Sequence, residues 1–403
     1  MFTLDTKYNN VVKVYAETIE NDAISQIVQM ANSPVGINAH IRIMPDAHAG
    51  KGCVIGTTMH IEDKVCPNLV GVDIGCGVAA AHIPQKLTED NYMGLNVICN
   101  LHIVSGRNVR EFQSKERYET SEGIINMMRC KHYLKELDYL HRSLGTLGGG
   151  NHFIELNKAE DGTHWLMVHS GSRNLGVQVA KHYQNIAEKA LKQDYMEKRA
   201  GVISECYKNG TLDQISKRLE LIQKLPVTGL EYLEGDNMSD YLWDMHLCQM
   251  WAQKNREAII NDILRECNWE SDEYIETIHN YIEVDKKILR KGAIAAYEGQ
   301  KCVIPLNMRD GSLICVGKGN EDWNFSAPHG AGRLMSRSLA KEVLDMEDFY
   351  TAMEGIVSSS VCEGTIDESP MAYKDYDEIM YAITPTVDIV ERVIPVFNYK
   401  AIE

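Results

Sequence analysis

VGVDIGCGVAAAHI, residues 70–83, reads as a buried strand, apolar almost throughout and broken by glycines at positions 71, 75 and 77. Glycine at such spacing lets a backbone pass close to another group. Upstream, HIRIMPDAHAGKG (40–52) starts with alternating Ile41 and Ile43 and then breaks into a Pro/Gly loop, a strand emptying into a loop. Downstream, LGTLGGGNHFIEL (144–156) sets three glycines before Asn151 and His152. HWLMVHSGSRNLG (164–176) gives a strand, WLMVH, and a Gly/Ser loop that opens a helix near Val177. From Gln178 to about Cys267 the texture is helical, with Leu242, Met245, Ala252, Ile259 and Ile263 at helical spacing. From Glu276 short β-rich runs return, KCVIPL (301–306) and SLICVGKGN (312–320). A helix follows HGAGR (329–333), and SPMAYKD (369–375) precedes a last helical segment. Polar groups fit for chemistry recur from 46 to 329 without a clean linker. The expected architecture is α/β, of the mixed α+β kind. It is one intertwined domain over 1–403 with a central β core, site loops at strand ends and a helical insertion at about 178–267.

Composition narrows the classes. The chain has 403 residues, 41 Lys+Arg against 57 Asp+Glu, and a net charge of −16. With 44% hydrophobic residues it can bury a large core without staples. The acidic total argues against a general nucleic-acid coat but permits a local basic groove. No stretch approaches an apolar membrane span and no signal opens the chain, so a soluble, cytoplasmic protein is expected. The 11 cysteines are irregularly spaced with no CxxC, which predicts reduced thiols rather than a disulfide frame.

An acid, Cys or His stands beside glycines at several strand ends: Asp46 and His48, Asp73 and Cys76, Asn151 and His152, His169, His279 and His329. Each alone is more often a packed or surface residue. Together, Asp, Cys and three His make a ligand set for a transition metal of intermediate softness. Asp73 and Cys76, three apart on one tight turn, can reach the same ion. A thiolate disfavours Mg²⁺ and Ca²⁺ and points to Mn²⁺ or Zn²⁺, and it can bridge two ions for phosphoryl chemistry. In HGAGR, His329 follows a proline and precedes two glycines and Arg333, so an accessible imidazole sits beside bare backbone N–H groups suited to phosphate. It reads as a metal ligand, a general base or a nucleophile. Arg173, Arg333, Arg337, Lys51 and Lys318 stand in or beside these loops as local positive charge. No GxxxxGK[ST] occurs, so a P-loop is excluded.

MPDAHAGKG, GVDIGCG, GTLGGGNHFIE, HSGSRNLG, IHNY, HGAGRLMSR and MAYKD, in order from about Met44 to Asp375, resemble the RtcB family of RNA-splicing ligases. The resemblance implies an enzyme joining RNA with a 3′-phosphate or 2′,3′-cyclic phosphate to RNA with a 5′-hydroxyl, using GTP and two Mn²⁺ ions through a covalent histidine–GMP intermediate. It implies that Asp73, Cys76 and His152 hold one Mn²⁺, that Cys76, His169 and His279 hold the other, and that the thiolate bridges them. His329 aligns with the guanylated nucleophile and Asp46 with the carboxylate that orients it. Asn151, Glu155, Gly330, Ala331, Gly332, Arg333 and Lys400 fall on nucleotide-binding positions, with Glu155 facing guanine. Arg173 and Arg337 fall on RNA phosphate positions. The chain departs from the family where the usual Pro-Gly-Ser-Met-Gly loop reads PLNMRDG (305–311), where a His-His-Asn-Tyr reads Ile278-His279-Asn280-Tyr281, and where a terminal Lys-Gly reads NYKAIE. Lys400 is then expected in the place of the family's terminal Lys.

Two other classes follow from the same residues. A two-metal phosphoesterase or nuclease would hydrolyse RNA with no nucleotide requirement, leaving Asp46 and HGAGR idle. A silent RNA-binding relative would lack a ligand, and none is missing. A monomer is expected. The natural RNA, tRNA halves or cleaved ribosomal RNA, and the need for an activating partner protein stay open.

Overall fold

The computed structural model describes residues 1–8, 11–50, 52–222 and 227–401. Two sheets carry the site. The first runs β1 (Phe2–Asp5), β2 (Val11–Val14), β3 (Arg42–His48), β4 (Ile55–His60), β10 (Ile288–Lys291) and β9 (Asn280–Glu283). The second runs β12 (Lys301–Asn307), β13 (Gly311–Gly317), β15 (Val387–Lys400), β6 (Phe153–Lys158), β7 (His164–Ser170), β5 (Gly77–Ile83) and β8 (Glu273–Ile278). A short pair, β11 (Ala293–Ala295) with β14 (Ser326–Pro328), completes the strands. The fold is mixed α/β.

Strict alternation along the second sheet sorts its residues between two faces. One face sends Ala79, Ala81, Ile154, Leu156, Leu166, Val168 and Phe397 against Ile259, Ile260 and Ile263 of the helix Gly235–Cys267. The sheet curls, because Val303 N at one edge strand donates to Thr277 Oγ1 of the other at 3.1 Å. On the inner face, register sets Phe153 opposite both His169 and Lys400, and Glu155 opposite both Met167 and Asn398. Five polar or aromatic side chains thereby share one floor, and that floor faces the cavity.

The strand of MPDAHAGKG runs further than the sequence suggests. β3 continues through Pro45, Asp46 and Ala47 to His48. Pro45 is tolerated because the β3–β4 pairing is irregular between Ile43 and His48, so no ladder bond there needs its missing N–H. The helix expected near Val177 begins four residues earlier and spans Arg173–Asn209. Between it and Gly235–Cys267, residues 223–226 lie outside the described residues. Among the described residues no helix is long and apolar enough to cross a membrane.

Candidate active site

A cavity of about 600 Å³ opens over the inner face of the second sheet, between it and the ends of β3 and β10. The loop before β5 carries Asp73 and Cys76. Gly75, with φ +70°, presses against the helix Gly235–Cys267 so closely that a Cβ there would stand 2.8 Å from Gln249 Cα. Gly75 N donates to Asn280 O at 2.7 Å and His279 N to Cys76 O at 2.9 Å, which ties the acid–thiol turn to the next ligand.

Two groups result, Asp73 with Cys76 and His152, and Cys76 with His169 and His279. Cys76 belongs to both. Its Sγ is 3.5 Å from His152 Nε2 and 3.2 Å from His169 Nε2, while the His169 and His279 Nε2 atoms are 3.4 Å apart. Asp73 Oδ2 is 3.0 Å from His152 Nε2. The ring orientations fit a metal. His152 Nδ1 bonds Leu147 O at 2.8 Å and His169 Nδ1 bonds Asn151 O at 3.2 Å. A carbonyl only accepts, so each Nδ1 carries the proton and each Nε2 lone pair is free for an ion. Burial, then the charge of neighbouring His152 for one and His329 for the other, pushes His169 and His279 well below the ordinary histidine range, into the neutral form a ligand needs. Burial and the neighbouring Asp73 push the Cys76 thiol well above its usual range. Its thiolate is therefore stable only in contact with a cation.

His329 leaves β14 beside this cluster, its ring centroid 4.8 Å from that of His279. Asp46, fully buried on β3, takes both the His329 Nδ1–H at 2.7 Å and the His329 backbone N–H at 3.1 Å on Oδ2. Gly332, at φ +74°, lets the 330–332 backbone turn over β3, where a Cβ would meet Asp46 O at 2.5 Å. Gly330, Ala331, Gly332 and Arg333 line the cavity behind His329.

The far end of the cavity gathers buried amides and carboxylates. Glu155 is 3% exposed and receives Asn157 Nδ2 at 2.9 Å and Asn398 Nδ2 at 2.8 Å. Burial raises its carboxyl to about 7 despite those two donors. Lys400 lies 5.0 Å over the Phe153 ring and donates to Glu368 Oε2 at 2.9 Å. Glu368 also meets Arg333 and Arg337, at 3.4 and 2.8 Å. Burial alone would raise it, but Lys400 and Arg337 outweigh that and hold it at about 2. Arg337 further bonds Asp367 at 2.8 Å and keeps 43% of its side chain exposed.

The expected residues do not all converge. Asn151, Glu155, Lys400, Arg333, Arg337, His169 and His279 line the cavity, as do Asp73, Cys76 and His329. Arg173 lies behind the glycine loop instead, its Nε on Thr146 Oγ1 at 3.1 Å and its Nη2 on Gly106 O at 2.6 Å. Lys318 is turned to Thr384 O and Asp388, away from the cavity lining. Lys51 lies outside the described residues. Other residues escaped notice. Asn255 Oδ1 takes the Gly145 and Thr146 N–H groups, at 2.7 and 3.1 Å. Arg256, fully buried, sends Nη1 to Gly75 O at 2.8 Å and Ser170 O at 2.7 Å and pairs with Glu276. Between them they fasten three of the site loops to one helix. Their signal was two adjacent polar residues in register with the buried stripe of Ala252 and Ile259.

Comparison with known proteins agrees with this geometry. A family model described as "tRNA-splicing ligase RtcB" matches residues 26–102 and 96–401. The chain is similar to the RNA-splicing ligase RtcB of Escherichia coli (strain K12), 31% identical with 96% of this chain and 97% of the relative covered. It is also similar to the tRNA-splicing ligase RtcB of Aeropyrum pernix, 26% identical over 91% and 89%. RNA-splicing ligase RtcB homolog 1 of Entamoeba dispar is 25% identical over 94% and 82%. With a match running nearly end to end, and with Asp73, Cys76, His152, His169 and His279 gathered into two groups that share Cys76, the chain belongs to the RtcB family.

Proposed function

We propose that this chain is an RNA ligase that joins a 3′-phosphate or 2′,3′-cyclic phosphate end to a 5′-hydroxyl end, using GTP and two Mn²⁺ ions. The supporting observation is the 2.7 Å bond between His329 Nδ1 and Asp46 Oδ2 beside two ligand groups that share Cys76. A carboxylate only accepts, so the proton is on Nδ1 and Nε2 keeps its lone pair for attack. His329 Nε2 attacks the α-phosphorus of GTP, an N–P bond forms, and the P–O bond to pyrophosphate breaks. Asp46 offsets the positive charge that develops on the ring. An oxygen of the RNA 3′-phosphate then attacks the same phosphorus, and the N–P electron pair returns to Nε2. The 5′-hydroxyl next attacks the RNA 3′-phosphorus, GMP departs, and the hydroxyl proton passes to solvent. A cyclic end is opened by water beforehand. Ions held by Asp73, Cys76 and His152, and by Cys76, His169 and His279, would supply Lewis-acid stabilisation of phosphoryl charge. Arg333, Arg337 and the 330–332 backbone are the proposed phosphate contacts, while Arg173 braces the glycine loop with only Nη1 left for RNA. In this proposal the chain works as one cytoplasmic ligase domain, a monomer whose inserted helices span about 178–267.

The test is incubation with α-labelled GTP and Mn²⁺. Label should stay on the denatured chain, be released by acid as a phosphoramidate is, and vanish in His329→Ala. Label retained in His329→Ala sinks the assignment, and sealing of a 5′-phosphate to a 3′-hydroxyl sinks the end chemistry.

A further inference from the structure

Asn398 faces Glu155 across the β15–β6 ladder, lines the cavity, and is 1% exposed. Its Nδ2 donates to Glu155 Oε2 at 2.8 Å. The opposite amide orientation would set oxygen against oxygen, so the carboxylate fixes which way the amide points. Its Oδ1 consequently faces away from Glu155, and it has no hydrogen-bond partner among the described residues. A buried amide oxygen without a donor is costly, and in a cavity lining it marks where a ligand donor belongs.

The donor pattern that fits is specific. Each Glu155 oxygen already takes one amide N–H and retains capacity for one more. Guanine presents three coplanar N–H bonds, one on N1 and two on the 2-amino group. One carboxylate can accept N1–H and the nearer 2-amino hydrogen. The outer 2-amino hydrogen is left over. Of the two amide oxygens left without a donor beside Glu155, those of Asn157 and Asn398, that of Asn398 belongs to a residue lining the cavity. We propose that Asn398 is a specificity-determining residue that accepts the outer hydrogen of a purine 2-amino group beside Glu155. This rests on the guanine-nucleotide use proposed above and adds a second residue to the reading of the base.

The probes are α-labelled GTP and ITP, which differ only by the 2-amino group, with Mn²⁺ and the full chain. Wild type should label faster with GTP. Asn398→Leu also takes a donor from Glu155 and so should slow both nucleotides, but GTP more, with the GTP-to-ITP rate ratio falling roughly three- to tenfold, the worth of one hydrogen bond. Equal slowing of both nucleotides would reduce Asn398 to a prop for Glu155 and overturn the proposal. So would a wild-type ratio near one, a result that needs no folded variant. Calorimetric binding of unlabelled GTP and ITP separates this from the ligase reading. With no label transferred by wild type, ligation fails, yet weaker ITP binding, by a margin that Asn398→Leu narrows, would still uphold the base contact. Equal dissociation constants in wild type would overturn it.

Discussion

Replacing Asp46 by Asn tests how much His329, the proposed nucleophile, depends on charge rather than on shape. Oδ2 of Asp46 receives two donors, the ring Nδ1–H at 2.7 Å and the backbone N–H at 3.1 Å of His329. The amide is nearly isosteric, and its oxygen can occupy the same spot, so both hydrogen bonds survive in Asp46→Asn. What is lost is the charge. A hydrogen bond to a charged group contributes about 1.5–3 kcal/mol and a neutral one about 0.5–1.5, so each bond weakens by about 1–1.5 kcal/mol. Two such losses, felt most as positive charge grows on the ring, predict a single-turnover guanylylation rate about 30- to 150-fold lower. Asp46→Ala, which also frees the ring to rotate, should fall further. Thermal melts of both variants control for folding. An Asp46→Asn rate within twofold of wild type would show that orientation alone matters and refute the reasoning.

Four other outcomes are expected. Cys76→Ala should lose both ions by metal analysis whereas His279→Ala should keep one, and a Cys76→Ala protein holding two ions would end the bridging assignment. GTP should be used about ten- to several-hundredfold better than ATP, because adenine offers Glu155 a lone pair where guanine offers N–H, and Glu155→Gln should narrow the margin; equal wild-type rates would contradict this. Glu368 is depressed from 4.5 to about 2, so it contributes stability that is present above pH 4.5 and is lost as pH falls toward 2. Urea melts across that window should show wild type losing on the order of 3 kcal/mol more than Glu368→Gln, and parallel curves would remove the effect. Arg256→Met should cost about 3–5 kcal/mol by stranding Glu276 and should weaken metal binding about tenfold or more, both absent if the helix is a passive cover.

The clustering of Asp73, Cys76, His152 and His329 was legible because their chemistry is unusual for their local context: they stand beside glycines where packing needs no acid, thiol or imidazole. The braces were not. Asn255 and Arg256 act across more than 80 residues, on Gly145 and Ser170, so no window of sequence links them. Lys400 was placed at the base, but its partner Glu368 comes from a turn whose approach only the tertiary structure sets. The course of β3 was cut short at Pro45, since proline argues against a strand unless pairing is known to be irregular there. Arg173 matched its motif, and its bonds to Thr146 and Gly106 were not legible, for a motif fixes a backbone position and not the reach of a long side chain.

The floor formed by His169, Phe153, Lys400, Glu155 and Asn398 makes the site a gauge. These side chains project from adjacent strands with a spacing of about 4.8 Å and from every second residue along each. The span from Glu155 and Asn398 to His169 is then set by the ladder itself, whereas His329 reaches the cavity from the end of β14. The same alternation gives selection a free hand: position 155 or 398 can change while His169 stays where the backbone puts it.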